Sequence, residues 1–213
     1  MRSKSLLSRA AITLAGGVAA FGLFAPIAAA ADNPVTFACQ ATPPIGSAQN
    51  FNLSAGVNAT APDSVAAGSQ FTVTLAPDAL TVPTTVSGYS IQSISNIQLT
   101  IPIPANATLT GESLSGGSGI DPSTASVSVN GNDLVVTVTD SVAGGNTFTL
   151  PALTLDLTAG ASGSTVQTTL AGTGYSDPGL TFSATVPVAF FTVNVPTACY
   201  PATPQVLSST SVQ

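Results

Sequence analysis

The chemistry open to this sequence rests on a short inventory: nine carboxylates, two cysteines and many Ser and Thr hydroxyls. The carboxylates are Asp32, Asp63, Asp78, Glu112, Asp121, Asp133, Asp140, Asp156 and Asp177; the cysteines are Cys39 and Cys199. The three basic residues, Arg2, Lys4 and Arg9, all precede them, and the 213-residue chain has no His and no Trp. Residues 32–213 therefore carry a formal charge of −9 and no cationic side chain. A serine or cysteine nucleophile needs a neighbouring base such as His or Lys, and this segment offers neither. Its hydroxyls read instead as solvent-facing strand and loop residues. Nucleic-acid binding, which rests on Lys and Arg neutralising phosphates, is excluded on the same count. Walker-type phosphate loops and Lys–Asn isopeptide bonds need the missing lysine too.

Carboxylates are the remaining acid–base groups. A glycosidase needs two of them on facing surfaces. Glu112 reads as part of a Gly- and Ser-rich loop, with Asp121, Asp133 and Asp156 as candidate partners. No two acids adjoin, and no Trp is present to stack on a sugar. Asp156 lies between Leu155 and Leu157, where an alternating strand points it outward. Calcium takes several oxygen ligands, often from closely spaced acids. The best local candidate, Asn130-Gly131-Asn132-Asp133, is better read as a hairpin turn. The carboxylates are thus expected to be solvated surface groups, with no catalytic residue, no metal and no cofactor.

The compartment follows from the first residues. Arg2, Lys4 and Arg9 precede an uncharged, mostly apolar stretch, Ala10–Ala25; Pro26 and the small residues Ala28–Ala31 follow. This is the three-part plan of a secretory signal peptide over residues 1–31, with cleavage before Asp32. An uncleaved anchor is the competing reading, since Ala10–Ala31 is uncharged and could nearly span a bilayer. Gly and Ala content, Pro26 and the four alanines favour cleavage. In an oxidising compartment Cys39 and Cys199 are expected to form one disulfide. Two cysteines without His make a poor metal site, and their spacing is unlike a CxxC redox pair.

These groups must be positioned by strands. The segment is rich in Ser, Thr, Gly and Pro, and its apolar residues recur with period two between turn signals. Gln49–Thr60 places Phe51, Leu53, Ala55 and Val57 on one side, and Gln70–Ala76 does the same with Phe71, Val73 and Leu75. Pro77–Gly88 reads as a long Pro- and Thr-rich loop. Tyr89–Ile103 is read as carrying Ile91 and then, after a register change, the run Ile97, Leu99, Ile101, Ile103, and Pro102 and Pro104 place its end at an edge or bulge. Ala125–Val129 and Leu134–Thr139 form a hairpin joined by Asn130-Gly131-Asn132-Asp133, whose Asn-Gly pair readily adopts positive φ. The result is an all-β fold: a single immunoglobulin-like β-sandwich of about ten short antiparallel strands over residues 32–203. Residues 204–213, Ser-rich and without an evident buried pattern, read as a disordered tail.

The Ala- and Gly-rich leader, Cys39-Gln-Ala-Thr-Pro-Pro-Ile-Gly46 and Ala171-Gly-Thr-Gly-Tyr-Ser-Asp-Pro-Gly179 resemble exported proteins of unassigned function from high-GC actinobacteria. The resemblance implies an extracytoplasmic β-sandwich associated with the envelope and implies no activity. The leading expectation is therefore a non-enzymatic secreted or cell-envelope protein with a structural or surface-interaction role, meeting an envelope or extracellular partner. An acidic, cation-favouring, porin-like barrel is the alternative, and a carboxylate-only hydrolase the third reading.

Overall fold

The computed structural model describes residues 31–213. The expected leader lies outside them except for Ala31, which is already in a strand. The first half contains β1 (Ala31–Ala41), β2 (Gln49–Thr60), β3 (Ser64–Val65), β4 (Gln70–Pro77), β5 (Leu80–Thr81), β6 (Thr85–Val86), β7 (Tyr89–Ser90), β8 (Ser93–Pro102) and β9 (Ala107–Ser115). The second half contains β10 (Ala125–Asn130), β11 (Asp133–Ala143), β12 (Thr147–Phe148), β13 (Ala152–Ala159), β14 (Thr165–Thr169), β15 (Leu180–Val188), β16 (Phe191–Pro201) and β17 (Val206–Val212). One 3-10 turn, Pro122–Thr124, is the helical segment among the described residues. No helix there is long and apolar enough to cross a membrane.

Ten strands form one antiparallel sheet in the order β10-β11-β8-β15-β16-β1-β2-β4-β13-β9. The sheet curls until its end strands, β9 and β10, come near each other without sharing a hydrogen-bonded ladder. The fold is thus a β-sandwich that almost closes into a barrel. Along each strand alternate side chains turn inward, because successive residues point to opposite faces. Val73, Leu155, Leu157, Leu134, Val138 and Ile101 fill the interior and are almost inaccessible. An acidic lumen is therefore not what the curled sheet encloses: these inward side chains are apolar.

Local chemistry accounts for the register. Asn96 adopts a positive φ of 52° within β8. Both neighbours of β8 shift register beside it, between Val138 and Ser141 on β11 and between Thr181 and Ser183 on β15. That bulge lets Ile94 and Ile97, an odd three residues apart, both turn inward, and it lies within the stretch between Ile91 and Ile97 where a register change is expected. Pro102 pairs only on the β11 side, opposite Asp133, so its missing N–H interrupts no ladder. The Asn-Gly hairpin is present, with strands one residue longer on each side: Asn130 pairs with Asp133, and Gly131, at φ 62°, is the first of two central residues. A positive φ at that position suits the right-handed twist of the flanking strands.

The C-terminal expectation is corrected. Residues 206–212 form β17, which pairs antiparallel with β14 and parallel with β3. Leu207 and Val212 are buried, and buried Thr210 donates its hydroxyl to the Pro62 carbonyl at 2.8 Å. The Asn33 side-chain amide reaches the Leu207 carbonyl at 3.2 Å. The three-stranded sheet β14-β17-β3 thus lies against the end of the curled sheet where β1 begins.

Candidate functional site: an apolar cavity

The disulfide is formed. Cys39 on β1 and Cys199 on β16 are direct ladder partners, with Cα atoms 4.1 Å apart and both side chains buried. Their role is structural.

The carboxylates do not converge. Asp121 accepts the backbone N–H of Ser123 at 2.9 Å and its hydroxyl at 2.8 Å, capping the 3-10 turn. These two bonds hold its carboxyl below the usual Asp value. Asp140 accepts the N–H of Asp121 at 2.6 Å, Asp177 accepts the Thr173 hydroxyl at 2.8 Å, and Asp78 accepts the Asn58 amide at 2.6 Å. Asp133 closes the β10–β11 hairpin. Glu112 is not in a loop: it lies in β9, half-buried, opposite inward-facing Leu155. Asp156 is exposed on β13, on the opposite face from Leu155 and Leu157, as alternation requires. Glu112 and Asp156 thus share neighbouring strands but not a face, and no glycosidase pair is assembled from them. Among the described residues no group of three or more His, Cys, Asp or Glu is placed to hold a metal ion.

What the strands do assemble is a cavity of about 490 Å³. One wall is the inner face of β2, β1, β16, β15 and β8, with Phe51, Leu53, Phe182, Val193 and Ile94 among the lining side chains. The opposite wall is the segment from Pro77 to Ile91. The sequence marks that segment as a loop; the structure makes it a strap across the mouth of the curled sheet. It is pinned at both ends. β5 pairs with β12, the Val82 N–H donates to the Asn146 carbonyl at 2.9 Å, and the Gly145 N–H donates to the Val82 carbonyl at 2.7 Å. At the other end the Gln92 N–H donates to the Thr185 carbonyl at 2.9 Å. Between them β6 and β7 form a tight hairpin whose central residues, Ser87 and Gly88, both have positive φ.

The cavity is chemically uniform. None of the nine carboxylates lines it, and its few polar residues include Ser47, Gln49, Thr81 and Thr197. Thr197 is buried, and its hydroxyl reaches only the Val195 carbonyl of its own strand, at 3.5 Å. Phe51, Leu53 and Ala55 stay half-buried although they face inward, because they border this open space rather than packed core. A mostly apolar concavity with few polar groups is the usual make-up of a small-molecule site, for which volumes run roughly 300–1,000 Å³. Period-two spacing marks these residues as inward; that they face an unfilled volume depends on strands far apart in sequence.

No protein-family model matches the sequence, and no curated protein does either. Among solved structures, the chain is similar to a protein of Corynebacterium diphtheriae described as membrane anchored. That likeness has a TM-score of 0.50 and 17% identity and covers 86% of this chain. This chain spans only 38% of that protein's length. A second likeness, to a chain of the RrgA Jo.In complex, has a TM-score of 0.35 and 12% identity, covering 67% of this chain and 78% of that one. The first likeness, at such low identity, speaks to the fold alone: this β architecture occurs in a protein of a high-GC actinobacterium.

Proposed function

We propose that this chain is a non-enzymatic, exported protein of the cell envelope that works by binding, with the apolar cavity as its binding site. The observation that carries the reading is the cavity: about 490 Å³, roofed by the Pro77–Ile91 strap and lined without a single carboxylate. The leader-like start and the Cys39–Cys199 disulfide support export to an oxidising compartment. Scattered carboxylates that organise turns, in a segment without His, Lys or Arg, support binding over catalysis.

The test is titration with an uncharged fluorescent probe such as N-phenyl-1-naphthylamine. The expected outcome is saturable binding of one probe per chain. In Ala184→Phe, which places a ring in the cavity wall at a buried position, binding is expected to be lost while the far-UV spectrum and the disulfide persist. Absence of saturable binding by the unmodified protein overturns the reading. So does hydrolysis of glycosides or esters that disappears when Glu112 or an Asp is replaced.

A further inference from the structure

The mouth of the cavity has a property that a pocket for a dissolved ligand does not need. Seven large apolar side chains are exposed among the described residues: Ile45, Tyr89, Val129, Val188, Phe190, Phe191 and Val206. Five of them gather at this mouth on the tips of three separate connections. Ile45 is in the β1–β2 loop, Tyr89 in the β6–β7 hairpin, and Val188, Phe190 and Phe191 at the β15–β16 turn. Four of these five also line the cavity; Phe190, fully exposed, stands beside them in the chain. Lone apolar residues on a surface need no explanation, but a cluster that is continuous with an apolar hole marks an interaction site.

We infer that the cavity takes the single hydrocarbon chain of a lipid with an uncharged head, received through this rim while it rests on a lipid surface. The inference rests on the apolar-binding reading above and adds the ligand class and the route of entry. Three features select the occupant. First, a lipid layer presents an apolar interior to the rim and a flexible chain to the opening behind it, so one partner accounts for both. Second, the volume suits one chain, and the apolar lining has no cation to hold a carboxylate or phosphate head inside. Third, residues 32–213 carry nine acids and no base, and no acid lies among the rim residues. Such a chain gains nothing from anionic lipid and is repelled by it, so contact must come from apolar insertion into a neutral surface. Thr197, with only a long hydrogen bond to its own strand, offers a hydroxyl to a neutral polar group drawn into the cavity.

The experiment uses the disulfide-bonded protein with phosphatidylcholine vesicles, the same vesicles containing phosphatidylglycerol, and a fluorescent monoacylglycerol. The rim variant is Phe190→Ser, at the fully exposed rim position that does not line the cavity. The unmodified protein is expected to co-sediment with phosphatidylcholine vesicles, less with the anionic ones at low salt, and to remove the monoacylglycerol from them. The rim variant is expected to lose vesicle binding by roughly tenfold or more, the scale of one Phe side chain left in water. Its affinity for monoacylglycerol dispersed below its aggregation concentration should stay within about twofold, because the cavity is intact. Ala184→Phe is expected to behave oppositely, docking on vesicles without taking up the lipid. Unchanged vesicle binding in the rim variant overturns the inference, as does a purified dimer that the rim variant converts to monomer without any vesicle binding. A protein that binds N-phenyl-1-naphthylamine but neither vesicles nor monoacylglycerol keeps its apolar-binding reading and loses the lipid. A protein that binds no apolar probe at all loses both.

Discussion

At the scale of single residues, Asp78, Asp121, Asp140 and Asp177 use their carboxylates to fix local backbone and side-chain geometry. Asp121 shows it best, because its carboxylate accepts two hydrogen bonds from Ser123 at the start of the 3-10 turn. Those bonds favour the charged form and lower its pKa below the ordinary 3.8. A group whose folded-state pKa is depressed stabilises the fold at pH above its unfolded value, and the contribution fades as pH falls through the lowered folded value. The expected outcome is a carboxyl-carbon NMR titration of Asp121 with a midpoint below 3.8. In Ser123→Ala the midpoint should move part of the way back up, since the backbone N–H bond, the larger cause, remains. A midpoint unchanged by that substitution would show that the hydroxyl does not hold the charge. Residue types alone set the expectation against nucleophilic catalysis and nucleic-acid binding. They could not show what the acids do instead, because Asx caps and turn contacts depend on backbone geometry two or three residues away.

At the scale of elements, legibility followed how cleanly inward and outward residues alternate. Gln70–Pro77 puts Phe71, Val73 and Leu75 inside, as its spacing indicates, and the bulge at Asn96 falls where Ile94 and Ile97, three residues apart, both turn inward. The β17 strand was hidden for a physical reason. Its inward positions are Leu207, Thr210 and Val212, so one of three is a hydroxyl, and the spacing is broken where its pairing with β14 shifts register. A buried Thr whose hydroxyl is satisfied by the Pro62 carbonyl reads, in sequence, as one more solvated Thr. Leu207→Ala tests the element directly. Removing a buried leucine is expected to cost about 2–5 kcal/mol, read as a fall in the urea midpoint. A change under about 0.5 kcal/mol, typical of an exposed site, would return residues 206–212 to the status of a tail. The strap between Pro77 and Ile91 was visible as a loop from its Pro and Thr content. Its function as the roof of a cavity was not, since both walls come from strands distant in the chain.

At the scale of the whole molecule, stability rests on apolar burial, ladders and one crosslink. Residues 32–213 contain no cationic side chain, so no side-chain ion pair forms among them, and nine like charges repel. Added salt should therefore raise the melting temperature. Screening of the acids between low ionic strength and about 0.15 M is expected to add about 1–2 °C, as the Debye length falls to about 8 Å. A fall in melting temperature with salt would point to favourable electrostatics that the composition does not provide. The disulfide contributes on a larger scale, because it joins residues 160 apart in sequence, and the chain-entropy treatment assigns loops of that length roughly 5 kcal/mol.

The placement of that crosslink also decides how the molecule carries a mechanical load. Cys39 and Cys199 stand side by side on adjacent strands near the two ends of the described chain. Tension applied through β1 on one side and β17 on the other crosses directly from sulfur to sulfur. Residues 40–198, including the strap and most of the cavity, form a slack bypass that the force does not enter. Only residues 31–38 and 200–213 can unravel before the line is taut. Oxidised, the protein transmits load over a short, stiff path with the cavity-bearing strands hung as a side loop; reduced, it becomes a long spring that gives way through its own cavity.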